Sequence, residues 1–212
     1  MANVCRWLLV ALIVTIVGVA PFVYFRDVYA YSKRLREVVP GKVYRSGQMT
    51  YAGFAEAVDR YHLKTIINFQ DDYPDPDVDK SFWLPGTIKE SEMCRRLGVR
   101  YVFIAPDLVP YRASPARRPE AIDRLLALLD DPDVYPVLLH CKAGLHRTGI
   151  MAAIYRMEYQ GWDVADALRE LKAHGYTDWN CTAGNPYVNQ YVLTYRRGIR
   201  HPVGLAVGVH SP

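Results

Sequence analysis

The stretch Tyr135-Pro136-Val137-Leu138-Leu139-His140-Cys141-Lys142-Ala143-Gly144-Leu145-His146-Arg147-Thr148-Gly149 decides how this chain is read. A short apolar run bounded by a proline reads as a buried strand ending at His140. A glycine-containing loop follows, and a helix begins near Arg147. Cys141 stands at the carboxyl end of the strand, where open α/β sheets bind their ligands. A loop closing onto a helix amino terminus turns backbone N–H groups inward and makes an anion cradle.

The positive potential of such a cradle stabilises a thiolate. Arg147 adds a planar fork matched to two phosphoryl oxygens. Gly144 suits a tight loop in which a Cβ would block the anion. A thiolate inside a phosphate-shaped nest is a nucleophile aimed at phosphorus. The bland readings, a core cysteine and a surface arginine, conflict with this combination of neighbours.

Working outward, short apolar runs alternate with helical spacings. Strands are expected at Lys42 to Arg45, Thr65 to Phe69, Val99 to Ile104 and Tyr135 to His140. Helices are expected at Tyr51 to Tyr61, Gly86 to Leu97 (with Pro85 at its start and Gly98 at its end), Glu120 to Leu129, Thr148 to Tyr159, Val164 to His174 and Pro186 to Arg197. The aspartate-rich segment from Asp71 to Lys80 and the proline- and arginine-rich segment from Ala105 to Pro119 read as loops. The fold class is therefore α/β, a central, mostly parallel sheet flanked by helices.

The amino terminus is different. Trp7 to Phe25 carries no charge and would span roughly 28 Å as a helix, close to the hydrocarbon thickness of a bilayer. Trp7 at one end and Tyr24 with Phe25 at the other match interfacial aromatics. Arg26, Lys33, Arg34, Arg36 and Lys42 outnumber Arg6 and the terminal amine, which places the following domain on the cytoplasmic side of a single-pass anchor. A cleavable signal peptide, cut near Val28-Tyr29-Ala30, is the competing reading, followed by a buried core helix. The expected organisation is a flank at 1–6, an anchor at 7–25, a basic juxtamembrane linker at 26–39, a catalytic domain at 40–197 and a tail at 198–212.

The residues His140-Cys141, Gly144 and Arg147-Thr148-Gly149 resemble the HCxxGxxR signature, followed by Ser or Thr and Gly, of cysteine-dependent protein tyrosine phosphatases. The chain is similar to their compact dual-specificity branch over roughly residues 40 to 196. Tyr44-Arg45-Ser46-Gly47-Gln48 resembles a segment of the atypical members. His146-Arg147-Thr148-Gly149 resembles plant and fungal atypical phosphatases, some of which act on inositol pyrophosphates. Lys142-Ala143-Gly144 resembles the loop of phosphoinositide 3-phosphatases, although Leu145 departs from their second loop lysine.

This resemblance implies roles. Cys141 is the expected nucleophile, Arg147 the phosphoryl-binding cation, and Thr148 the hydroxyl that assists hydrolysis of a phosphocysteine. Lys142, Ala143, Gly144, Leu145 and His146 are expected to bind substrate through the loop, with His140 shaping it. The general acid is expected at Asp107, 34 positions before Cys141. Asp71 and Asp72 are the runners-up. No metal and no cofactor are implied, and the spacing of His140, Cys141 and His146 fits no usual zinc pattern. The expected substrate is a phosphotyrosine protein, with an anionic phospholipid, phosphoinositide or inositol (poly)phosphate as the second reading.

Composition sharpens these choices. The net charge of +4 in 212 residues gives no reason to expect nucleic acid. Four cysteines are too few for a disulfide scaffold, and Cys5, Cys94 and Cys181 read as incidental or structural thiols. Arg112, Arg117 and Arg118 read either as a solvated basic loop or as a guide for a polyanion. Arg45 and Ser46 read as supports of the site. A rhodanese-like sulfurtransferase fits less well, because of His140 before the cysteine and Arg147-Thr148-Gly149 after the loop. A membrane-tethered phosphate-binding module without turnover has no need of Cys141.

Overall fold

The computed structural model describes residues 2–70, 75–80, 85–104, 118–174, 187–203 and 209–210. Eight strands and eight α-helices are present among them: α1 (Ala2–Val14), α2 (Ala20–Arg26), β1 (Arg36–Val39), β2 (Val43–Ser46), α3 (Tyr51–Tyr61), β3 (Thr65–Asn68), β4 (Asp75–Lys80), β5 (Pro85–Ile88), α4 (Glu90–Leu97), β6 (Arg100–Phe103), α5 (Glu120–Leu129), β7 (Val137–His140), α6 (His146–Gln160), α7 (Val164–Ala173), α8 (Tyr187–Leu193) and β8 (Val209–His210).

The main sheet has the order β1-β2-β7-β3-β6-β8. Its four central strands are mutually parallel, whereas β1 and β8 join the edges antiparallel. The sheet is thus mixed, its centre parallel as expected and its two edges antiparallel. β1 lies inside the segment expected to be a basic linker, and β8 lies inside the segment expected to be a tail. Both are too short to show a period.

Two further expectations are corrected. The aspartate-rich segment expected to be a loop contains β4, which pairs antiparallel with β5. The helix expected from Gly86 begins only at Glu90, because Pro85 to Ile88 is β5. Glu90 and Glu92 in the first turn and Arg95 and Arg96 in the last complement the helix dipole, which favours this later start.

Alternation along the central strands sets the layers. Side chains of successive strand residues point to opposite faces. Ile66 and Leu138 face α3 and α4 together with Phe54, Met93 and Tyr101. Ile67, Leu139 and Cys141 face α5 and α6 together with Leu125, Leu126, Ile150 and Ile154. Each fully buried leucine or isoleucine here is worth about 1.5–3 kcal/mol relative to exposure, so the register of β7 is strongly fixed. A one-residue slip would carry Cys141 to the other face.

The amino-terminal segment forms a nearly continuous helix, with π-type turns at Thr15–Val19 and Asp27–Tyr31. Asn3–Arg26 is long and apolar enough to cross a membrane, by length and composition, and its window is not buried against the rest of the protein. Thr15 satisfies its hydroxyl on the Ala11 carbonyl at 2.9 Å, as a hydroxyl inside an apolar helix must. The foot of this helix packs on the domain. Tyr31 donates its hydroxyl to Glu56 on α3 at 2.8 Å.

Candidate active site

β7 ends between two strands that extend equally far. His140 pairs with Ser46 of β2 on one side and Asn68 of β3 on the other. The chain then leaves the sheet as the loop Cys141 to Leu145 and enters α6 at His146. Cys141 is 5% exposed and in no disulfide.

The loop is tied to its surroundings from outside. The Gln48 N–H donates to the Lys142 carbonyl at 3.1 Å. Arg34 donates from Nη1 to the Ala143 carbonyl at 2.6 Å. Arg45 donates from Nη2 to the Gly144 carbonyl at 3.0 Å. Three successive carbonyls are therefore occupied. Because the C=O and N–H of a trans peptide point oppositely, the N–H groups of Ala143, Gly144 and Leu145 face away from these partners. Donors arrayed in this way, next to the amino terminus of the fifteen-residue α6, suit an oxyanion.

Gly144 has φ +70°, and a Cβ there would stand 2.5 Å from the Gly47 nitrogen and 2.6 Å from the Ser46 carbonyl oxygen. The glycine is required by the adjacent β2 turn, not by the space an anion would fill, which corrects the sequence argument for it.

Arg147 lies at the start of α6 with its guanidinium exposed, and Nη1 donates to the Phe69 carbonyl just beyond β3 at 3.2 Å. That bond holds one edge of the fork. Thr148 is fully buried one residue later, and its hydroxyl has no partner among the described residues. Lys142 is exposed, while His146 is partly buried. Burial, and then the Arg147 charge, push His146 below the usual imidazole range.

His140 takes a different place from the rest. Being one residue before Cys141 on a strand, it points to the opposite face, fully buried, with its ring edge-on to Phe54 at 5.3 Å. Its Nε2 lies 2.6 Å from Glu90 Oε1 at the start of α4. Asn68 Nδ2 donates to the second Glu90 oxygen and lies equally close to the Tyr101 hydroxyl, each at 3.2 Å. His140, expected both to bind substrate and to shape the loop, is thus enclosed between the sheet and α4.

Arg45 is 3% exposed. Burial lowers it to about 10, against which the charges of Glu170 and Cys141 favour its cation. Glu170 is itself held by Arg156 at 2.5 Å and lies 3.6 Å from His174. Arg45 therefore remains cationic at neutral pH and joins the loop to α7.

Sequence reasoning missed Glu90, Asn68, Tyr101 and Arg34. Glu90 had one available signal, an acid in the first turn of a helix. The others become visible only when the strands are paired. Asp107, Asp71, Asp72, Arg112, Arg117 and Cys181 lie outside the described residues. Arg118 is engaged by Asp123 and donates to the Ile199 carbonyl at 2.8 Å, so it is a tie to the carboxyl-terminal segment. Cys94 is buried in α4, as a structural thiol is. Among the described residues no three His, Cys, Asp or Glu side chains gather as a metal would need.

A strand-loop-helix with a cysteine at its start and an arginine at its end is matched by a family model. The model of the tyrosine phosphatase family fits residues 33–196. The chain belongs to the tyrosine phosphatase family. Among curated relatives, the dual specificity protein phosphatase TpbA of Pseudomonas aeruginosa is 54% identical over 43 residues, 20% of each chain. The tyrosine-protein phosphatase-like protein OCA2 of Saccharomyces cerevisiae is 30% identical over 128 residues, 60% of this chain and 57% of that one. The chain thus matches only a fifth of TpbA's length and just over half of OCA2's. Among solved structures, the core catalytic domain of the PP-IP phosphatase SIW14 from S. cerevisiae superposes with a TM-score of 0.58 at 20% identity, covering 78% of this chain and 87% of that chain. That likeness establishes a shared α/β fold with a mixed sheet.

Proposed function

We propose that this member of the tyrosine phosphatase family hydrolyses phosphomonoesters through a phosphocysteine. The observation that carries the reading is the placement of Cys141. It stands at the end of β7, buried at the mouth of a loop whose three successive carbonyls are all bound from outside. In the first step the Cys141 thiolate attacks phosphorus. The Sγ–P bond forms as the P–O bond to the alcohol or phenol breaks, and the leaving oxygen takes a proton from a carboxylic acid, proposed as Asp107. The loop N–H groups and Arg147 bear the charge on the equatorial oxygens. In the second step water attacks the phosphocysteine as the same carboxylate takes its proton, the P–O bond forms as the S–P bond breaks, and thiolate, carboxylic acid and inorganic phosphate result. Thr148 is proposed to steady the departing sulfur through its hydroxyl.

The substrate proposed is a phosphotyrosine-type ester, in keeping with the dual-specificity relative. Lys142 and His146 on the loop favour a second reading, an inositol phosphate or phosphoinositide, whose several phosphates need added cationic or donor groups. The apolar helix is proposed as a single-pass membrane anchor. The basic residues after it put the catalytic domain on the cytoplasmic side.

The test is p-nitrophenyl phosphate turnover by the full-length protein and by Cys141→Ser. Cys141→Ser is expected to lose at least about 1,000-fold in kcat while still binding phosphate, as expected when a covalent nucleophile is removed. Turnover equal to wild type excludes the phosphocysteine. A panel of phosphotyrosine peptides, phosphoinositides and inositol polyphosphates then separates the two substrate readings.

A further inference from the structure

The turn between the apolar helix and β1 is strained and is bound to the loop. Lys33 has φ +41° and Arg34 φ +61°, a left-handed backbone that L-residues with side chains disfavour. Two consecutive residues of this kind persist only where surrounding contacts hold them, and such positions gather at functional sites. Here three contacts hold the turn. The Gly47 N–H donates to the Lys33 carbonyl at 2.8 Å, and the Arg34 N–H donates back to the Val28 carbonyl in the helix foot at 3.0 Å. The Lys33 side chain lies against Gly47, where a Cβ would meet its Cγ at 2.5 Å. The turn thus aims the Arg34 guanidinium at the Ala143 carbonyl.

We propose that Arg34 is a positioning residue for the oxyanion cradle, and that the turn carrying it is a working part of the site. The inference rests on the phosphatase reading of the loop. The Ala143–Gly144 peptide is the one most able to rotate, because Gly144 has no Cβ to restrict it. Rotation would turn the Gly144 N–H out of the cradle and the Ala143 carbonyl into it, replacing a donor to the anion with a repelling oxygen. The guanidinium on that carbonyl opposes the rotation through a charge-assisted hydrogen bond. Arg45 does the same for the next carbonyl from the opposite side of the turn. Arg45 comes from the sheet, whereas Arg34 comes from the foot of the apolar helix. The seating of that helix and the affinity of the cradle are therefore coupled.

The experiment uses the full-length protein in detergent micelles. Tungstate affinity is measured by calorimetry, and kcat and KM are measured on p-nitrophenyl phosphate, for wild type, Arg34→Met, Arg34→Gln and Arg34→Lys. Arg34→Met is expected to weaken tungstate binding about 10- to 100-fold, the loss of one hydrogen bond to a charged group, and to raise KM in step with a smaller change in kcat. Arg34→Lys, which keeps a cationic donor, is expected to recover most of the affinity. A lowered melting temperature with wild-type tungstate affinity and KM overturns the inference, since a purely structural tie would give that result. If Arg34→Met does not fold, the order wild type, Arg34→Lys, Arg34→Gln in falling affinity is required, and a flat series overturns it. A wild-type protein that binds no tungstate overturns the phosphatase reading and this inference together, whereas binding unchanged by Arg34 substitutions overturns only the inference.

Discussion

Nε2 of His140 and Oε1 of Glu90 stand 2.6 Å apart, both side chains enclosed between the sheet and α4. The pair joins the residue preceding Cys141 to the start of a helix on the far face of the sheet. Asn68 binds the other carboxylate oxygen, and Asn68 is paired with His140 across the strands. The strand that ends at Cys141 is thereby fixed from the face that α4 covers.

Replacing Glu90 tests this support. Glu90→Gln keeps the shape but removes the charge, and is expected to cost about 1.5–3 kcal/mol, the range for a hydrogen bond to a charged group. Glu90→Leu is expected to cost more, because it leaves His140 and Asn68 without their acceptor in a buried place. Urea denaturation gives the stability change, and kcat on p-nitrophenyl phosphate gives the effect on the strand end. Stability unchanged in Glu90→Leu would show that the pair does not support β7.

Gly144 and Gly149, five residues apart, make a second comparison. At Gly144 a Cβ would strike backbone atoms of Ser46 and Gly47, and φ is +70°. At Gly149 it would meet Leu171 Cδ1 at 2.5 Å, the far end of a side chain that can turn aside. Gly149 is also helical, where Ala is favoured over Gly by about 1 kcal/mol. Gly144→Ala is therefore expected to lose stability by about 1–3 kcal/mol or more together with most of its activity. Gly149→Ala is expected to stay within about 1 kcal/mol of wild type, as the packing strain and the helix gain offset each other. Thermal melts and turnover of the two variants, measured side by side, decide the matter. Equal losses would contradict the contact argument.

The order of these elements was legible in the sequence for particular reasons. β7, its loop and α6 announce themselves through an apolar run, a glycine and a helix start within fifteen residues. α5 was readable to its ends because Ile122, Leu125, Leu126 and Leu129 recur at helical spacing and all are buried. β1 and β8 were not, since four and two residues carry no period and their partners are distant in sequence. β4 was hidden by its aspartates, which favour turns. At the site, Cys141, Arg147 and Thr148 follow from the local motif. Glu90 and Arg34 are 51 and 107 positions before Cys141, and only strand pairing and the strained turn bring them to it.

His146 gives a prediction in pH. Burial and Arg147 hold its folded-state pKa below the usual imidazole value of 6.5. As pH falls through 6.5, the unfolded chain takes up a proton before the folded one does, so stability declines with falling pH until the folded pKa is passed. His146→Asn removes this site. Its stability is expected to fall less than that of wild type between about pH 7 and the folded pKa, and to run parallel to it at higher pH. Urea midpoints across that range provide the measurement. Parallel curves throughout would show that the ring does not resist protonation.

The carboxyl-terminal segment is held by a second charged cluster, and its acid response is expected to have a different midpoint. Glu158 on α6 accepts from the Tyr195 hydroxyl at 2.7 Å and the Gly198 N–H at 3.0 Å, and pairs with Arg200 at 2.6 Å. Burial alone would raise Glu158, but these three partners together bring it below the usual glutamate value of 4.5. Arg200 also binds Asp130 at 2.8 Å and lowers it from 3.8. Both carboxylates have depressed folded pKa values, so their stabilisation is present above the unfolded values and is lost as pH falls through the folded ones. Arg200→Ala is expected to cost about 1–2 kcal/mol near neutrality, less than a fully buried pair, since Arg200 and Asp130 are 35% and 43% exposed and water screens them. The difference from wild type should hold down to about pH 4.5, the unfolded value of Glu158, and shrink below it as the carboxylates protonate. Denaturation series at pH 7, 5, 4 and 3 test the sign. A difference that widened toward acid would mean that Arg200 acts through some group other than these two acids.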